Sequence, residues 1–128
     1  MRPTARLCYD HLSGILGEAI HTALFRNGFL IGGDKPELSP AGEEELRRLG
    51  MDLDALKQPG RKPIAPCVER AEGKMYPHMG AHLGAILLDG FLKIGWLTPA
   101  GEGGKDFSIT GTGRDGFDKL GVYLPSEK

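Results

Sequence analysis

The chain lacks the long apolar run that a membrane-spanning helix needs. Its longest such stretch, Ala85 to Leu88, falls far short of the roughly 20 residues required. Net charge is also nearly absent, at −1, and basic residues are adjacent only at Arg47-Arg48 and Arg61-Lys62. A chain that grips a phosphate backbone needs a basic patch, so groove reading by this chain alone is not expected. Cysteine is scarce, with two residues. That excludes a disulfide framework and, with no signal-peptide pattern, predicts reduced thiols in a cytoplasmic protein. Neither cysteine is accompanied by an oxyanion-hole motif, so no catalytic set is formed and the chain does not read as an enzyme. Gly101-Glu102-Gly103-Gly104-Lys105 lacks the Ser/Thr and following helix of a phosphate loop.

What is present is a repeat. His11-Leu12-Ser13-Gly14-Ile15-Leu16-Gly17 aligns with His78-Met79-Gly80-Ala81-His82-Leu83-Gly84, and the register holds through Gly28/Gly95, Phe29/Trp96 and Leu30/Leu97. After a short insertion it resumes at Gly42/Gly113, Leu49/Leu120, Gly50/Gly121 and Leu53/Leu124. A Cys precedes each aligned His, Cys8 before His11 and Cys67 before His78. Two copies in one short chain imply a pseudo-symmetric domain with a shared core.

Each copy reads as a long helix, a two-stranded wing and a closing helix. Leu12, Ile15, Leu16, Ala19, Ile20, Ala23 and Leu24 form one apolar stripe, which predicts a helix over residues 9–27 ended by Asn27-Gly28. Residues 29–31 and 37–39 read as strands, and Ser39-Pro40 as an N-cap and first helical position. In the second copy the same reasoning places a long helix from about Pro77 to Ile94, strands beginning at Trp96 and Phe107, and a helix over 112–120. The expected fold class is therefore α+β, mainly helical, a tandem degenerate winged-helix-like repeat. Its first unit spans residues 1–57, a connector 58–66 and the second unit 67–128.

Cys8, His11, Cys67 and His78 have the composition of a Cys2His2 zinc set. Placed on a helix, Cys8 and His11 sit about one turn apart, whereas Cys67 and His78 need a loop that folds back. The alternatives are small buried thiols with backbone-bonded imidazoles, or a redox-sensing thiol. Tyr9 and Asp10 are further ligand candidates. Asp10 would either cap the helix or orient His11 through its ring N–H. Glu69 and Glu72 read as ligand-binding acids or as partners of Arg6 or Arg70. Trp96 reads as core.

The segments Ala5-Arg6-Leu7-Cys8-Tyr9-Asp10-His11-Leu12-Ser13-Gly14, Leu38-Ser39-Pro40-Ala41-Gly42 and Leu49-Gly50-Met51-Asp52-Leu53 carry a resemblance. In the second copy Pro66-Cys67, His78, Leu83-Gly84-Ala85 and Gly95-Trp96-Leu97 carry it too. The chain resembles the C-terminal half of ArsR-type bacterial transcription regulators, the arsenic-repressor superfamily of winged-helix proteins. It departs from their pattern after the second cysteine, where Arg70 replaces a Trp and Gly73 an Arg. The resemblance implies an effector-sensing and dimerising region, following an N-terminal DNA-binding winged helix that this chain does not include. Its implied partners are a second copy, DNA through that missing domain, and a metal or small-molecule effector bound between the copies. Two other functions fit the same residues: a DNA- or protein-binding module acting through wings at residues 32–36 and 99–105, and a metal- or small-molecule-binding protein with no role in transcription.

Overall fold

A computed structural model describes residues 4–32, 35–57, 60, 62–71, 73–101 and 103–124. The candidate Glu72, Gly33, Asp34 and Glu102 of the expected wings, and residues 58, 59 and 61 of the expected connector lie outside them. The fold is α+β, with four α-helices and antiparallel sheets among the described residues. In chain order come β1 (Arg6–Cys8), β2 (His11–Ser13), α1 (Gly14–Arg26), β3 (Leu30–Ile31), β4 (Glu37–Leu38) and α2 (Pro40–Arg48). A 3-10 turn, Leu53–Lys57, leads to β5 (Ala65–Ala71), β6 (Lys74–Gly80), α3 (Ala81–Lys93), β7 (Leu97–Ala100), β8 (Asp106–Ile109) and α4 (Gly111–Lys119). No helix among the described residues is long and apolar enough to cross a membrane.

Both long helices start later than their apolar stripes predict. Residues 11–13 are strand, and the helix begins at Gly14 with φ 83°. Residues 74–80 are likewise strand, and α3 begins at Ala81 with φ 54°. A left-handed residue at the equivalent position of each copy reorients the chain, and it separates strand from helix more sharply than the side chains show. Leu12 falls in phase with the apolar stripe by its spacing, but its side chain is buried from a strand. Of the expected connector, Ala65 and Pro66 belong to β5.

Beyond that point the copies repeat their backbone bonding. Gly28 and Gly95 turn the chain at φ 74° and 80°. Phe29 N–H then donates to the Leu24 carbonyl and Trp96 N–H to the Phe91 carbonyl, each at 2.9 Å. The Ser39 hydroxyl donates to the Gly28 carbonyl and accepts from Gly42 N–H; Thr110 does the same with Gly95 and Gly113. These hydroxyls cap α2 and α4 and pin each cap to the preceding turn. Ser39→Ala and Thr110→Ala are each expected to cost about 1–2 kcal/mol, adding approximately in the double variant. Urea unfolding checks this, and a double variant as stable as the parent would contradict it.

The halves are stitched together rather than merely adjacent. β1 pairs with β2 and, through Arg6 and Asp106, with β8, giving the sheet order β2-β1-β8-β7. α1 packs on β6 of the other half, and α3 packs on β2. Leu16, Leu24, Leu83 and Phe91 are fully buried in the single core that results. Phe91 stacks on Trp96 with centroids 5.4 Å apart and meets Phe117 edge-on at 4.9 Å.

Candidate metal centre

Two hairpins build the site. In the first, Cys8 pairs directly with His11 across β1 and β2, leaving Tyr9 and Asp10 as the loop. In the second, Cys67 pairs directly with His78 across β5 and β6. Directly opposed residues of an antiparallel pair share one face, with Cβ atoms about 4.5–5.5 Å apart. Each hairpin therefore presents one thiol and one imidazole side by side. Neither pair sits on the helical turn that the spacing of Cys8 and His11 predicts, and the antiparallel pairing of β5 with β6 supplies the fold-back between Cys67 and His78.

The packing of each long helix on the other half's strand brings the two pairs together. The four donor atoms of Cys8, His11, Cys67 and His78 lie within 4.8 Å of one another. The imidazole centroids are 5.1 Å apart. Both histidines are buried, His78 to 1% exposure and His11 to 5%, and both cysteines are partly buried. Room for the rings comes from glycines on the opposing helices. A Cβ on Gly84 would come within 2.8 Å of the His11 Cβ, and one on Gly17 within 3.5 Å of the His78 Cβ. Sequence alignment pairs these two glycines, but their role shows only when the halves cross.

The donor set suits a tetrahedral thiophilic cation. Zinc bonds of about 2.3 Å to sulfur and about 2.0–2.1 Å to nitrogen put donors roughly 3.3–3.8 Å apart, a contraction of about 1 Å from the widest separation here. One observation points to an occupant: His11 Nε2 is buried with no hydrogen-bond partner. Its Nδ1 lies 3.4 Å from the Asp10 carboxylate. A proton on Nδ1, held toward that carboxylate, leaves the Nε2 lone pair as the ligand. Burial pushes the Cys8 thiol above its ordinary range, helped by the charge and hydrogen bonding of Cys67 and by the charges of Glu69 and Asp10. Crowded negative charge of this kind is what a divalent ion reverses.

The remaining candidates fall around the donors, not among them. Tyr9 is 87% exposed at the hairpin tip, with φ 59°. Asp10 flanks His11 from the loop between β1 and β2, not from the helix start that a capping role requires. Glu69, two residues beyond Cys67 on β5, acts on Cys8 through its charge. Asp10 also opens onto a cleft of about 410 Å³ with Asp52, His82, Asp89 and Lys93, which no motif in the sequence announced.

Two outcomes follow from this geometry. Asp10→Asn should weaken zinc binding about 10- to 100-fold, because the imidazole loses its orienting acceptor; a chelator-competition titration would show no change if Asp10 were idle. Zinc must displace the Cys8 proton, so binding should release protons and weaken as pH falls. Calorimetry in buffers of different ionisation enthalpy reads that release directly, and binding without it would contradict thiolate ligation. No family model matches the chain, and neither do any curated protein or solved structure.

Proposed function

We propose that this chain is the effector-sensing and dimerising region of an ArsR-like bacterial transcription regulator, built from two degenerate winged-helix-like units. It binds zinc or a similar thiophilic ion where the units meet. The observation that carries this reading is the convergence of Cys8, His11, Cys67 and His78, one thiol and one imidazole from each half, within 4.8 Å. The repeated caps and turns at Ser39 and Thr110 support two copies of one unit. An ion at this point ties the β1–β2 hairpin to the β5–β6 hairpin. It therefore favours whichever arrangement of the halves holds four donors in tetrahedral range. In a homodimer carrying DNA-binding winged helices, that preference is relayed as a change in their spacing. The net charge of −1 fits a sensor better than a groove reader.

Native mass spectrometry with elemental analysis of the purified chain tests the reading. A dimer carrying one zinc per chain is expected, and the His11→Ala, His78→Ala double variant should lose the metal. A metal-free monomer after zinc reconstitution would overturn the reading. A gel shift at low salt with this chain alone should show no sequence-specific complex.

A further inference from the structure

The chain has no cysteines besides Cys8 and Cys67. One stands on β1 and the other on β5, in opposite halves, yet their sulfurs lie within 4.8 Å. Both are free thiols, and both residues are only partly buried. Gly80 beside Cys67 contributes no side chain, where a Cβ would crowd the Cys67 Cβ at 2.8 Å. We infer that hydrogen peroxide, or another peroxide, closes the metal-free site by forming an intramolecular Cys8–Cys67 disulfide, making the same four-residue centre an oxidant sensor. This rests on reading the four residues as one site and adds a second input to it.

The chemistry balances with peroxide alone. One thiolate attacks a peroxide oxygen; an S–O bond forms as O–O breaks, and the departing hydroxide is protonated to water. The second thiolate attacks that sulfenic sulfur, S–S forms as S–O breaks, and a second water leaves. Two thiols and one hydrogen peroxide become one disulfide and two waters, with the sulfurs oxidised and the peroxide oxygens reduced. The two states of the site exclude each other. A tetrahedral ion would hold two sulfurs about 3.8 Å apart and take a lone pair from each, whereas a disulfide needs about 2.05 Å. Because the thiols come from different hairpins, the bond links the halves at the point where the metal would.

The test treats reduced, metal-free chain with hydrogen peroxide, blocks remaining thiols with N-ethylmaleimide and measures the intact mass. The expected product is a monomeric chain two hydrogens lighter and carrying no maleimide. Cys67→Ser should give only sulfenic acid, trapped by dimedone, or an intermolecular dimer. Chain preloaded with zinc should oxidise at least about tenfold more slowly, since its thiolates are held by the metal. Two maleimides on the treated wild type, or sulfinic acid without a disulfide, would overturn the inference. Zinc binding is measured separately on the reduced chain. Zinc uptake without disulfide closure defeats only the oxidant inference, and closure without zinc uptake defeats only the metal reading.

Discussion

Cys67→Ser is expected to lower zinc affinity by at least about a hundredfold, more than removing the acceptor beside His11 does. A serine hydroxyl keeps its proton near neutral pH and is a hard, weak ligand, so the site falls to three donors. The effect reaches stability through linkage. A ligand present at a hundred times its dissociation constant stabilises the native state by about 2.7 kcal/mol, and a variant that binds a hundredfold more weakly forfeits most of that increment at equal zinc. Because Cys67 is only partly buried on a two-stranded hairpin, the metal-free variant should unfold close to the metal-free parent. That contrast separates lost coordination from damaged packing. Equal zinc-induced stabilisation of parent and variant in thermal melts would remove Cys67 from the site.

Phe91→Ala should be the most damaging single truncation in the core, costing about 3–5 kcal/mol. Phe91 is fully buried, stacked on Trp96 and edge-on to Phe117. Its backbone carbonyl also receives the Trp96 N–H just before β7. The side chain further lines the contact between halves with Leu12, Ile20, Met79 and Leu87. Loss of the ring therefore opens a void that helices anchored at both ends close poorly. The equivalent position in the first copy holds Leu24, also fully buried, and Leu24→Ala should fall in a lower range of about 2–5 kcal/mol. Urea unfolding of both variants checks the order. A Phe91→Ala cost below about 1 kcal/mol would mean the aromatic cluster is not the anchor described.

The parts of this fold written in local chemistry were readable from sequence. Gly28 and Gly95 as stops, Ser39 before Pro40 as a cap, and the aligned glycines all act within a few residues of themselves. The β1–β2 hairpin was not readable, for a physical reason. β1 and β2 are three residues each, too short for an alternating pattern, and Leu12 lies in phase with the stripe of α1. Pairing of β1 with β8 joins residues about a hundred positions apart, and no local signal encodes it. The same divide runs through the site. Cys8, His11, Cys67 and His78 were recognisable by type and by their repeated order, but their mutual positions follow from strand register and from helices crossing between halves. Tyr9 was misplaced for that reason: a residue at a helix start becomes, in a hairpin, an exposed tip. Asp10 lies beside His11 whether the segment is helix or hairpin, because sequence neighbours stay close in either geometry.

Cobalt(II) substitution tests the central claim most directly, because the colour of the ion reports its coordination. Titration of the reduced chain should saturate at one cobalt per chain. The bound ion should show the intense visible bands of a four-coordinate site and a near-ultraviolet thiolate-to-metal transition that Cys67→Ser diminishes. Only the weak pink absorption of the six-coordinate aqua ion, unchanged by adding protein, would show that the two hairpins do not form a metal site.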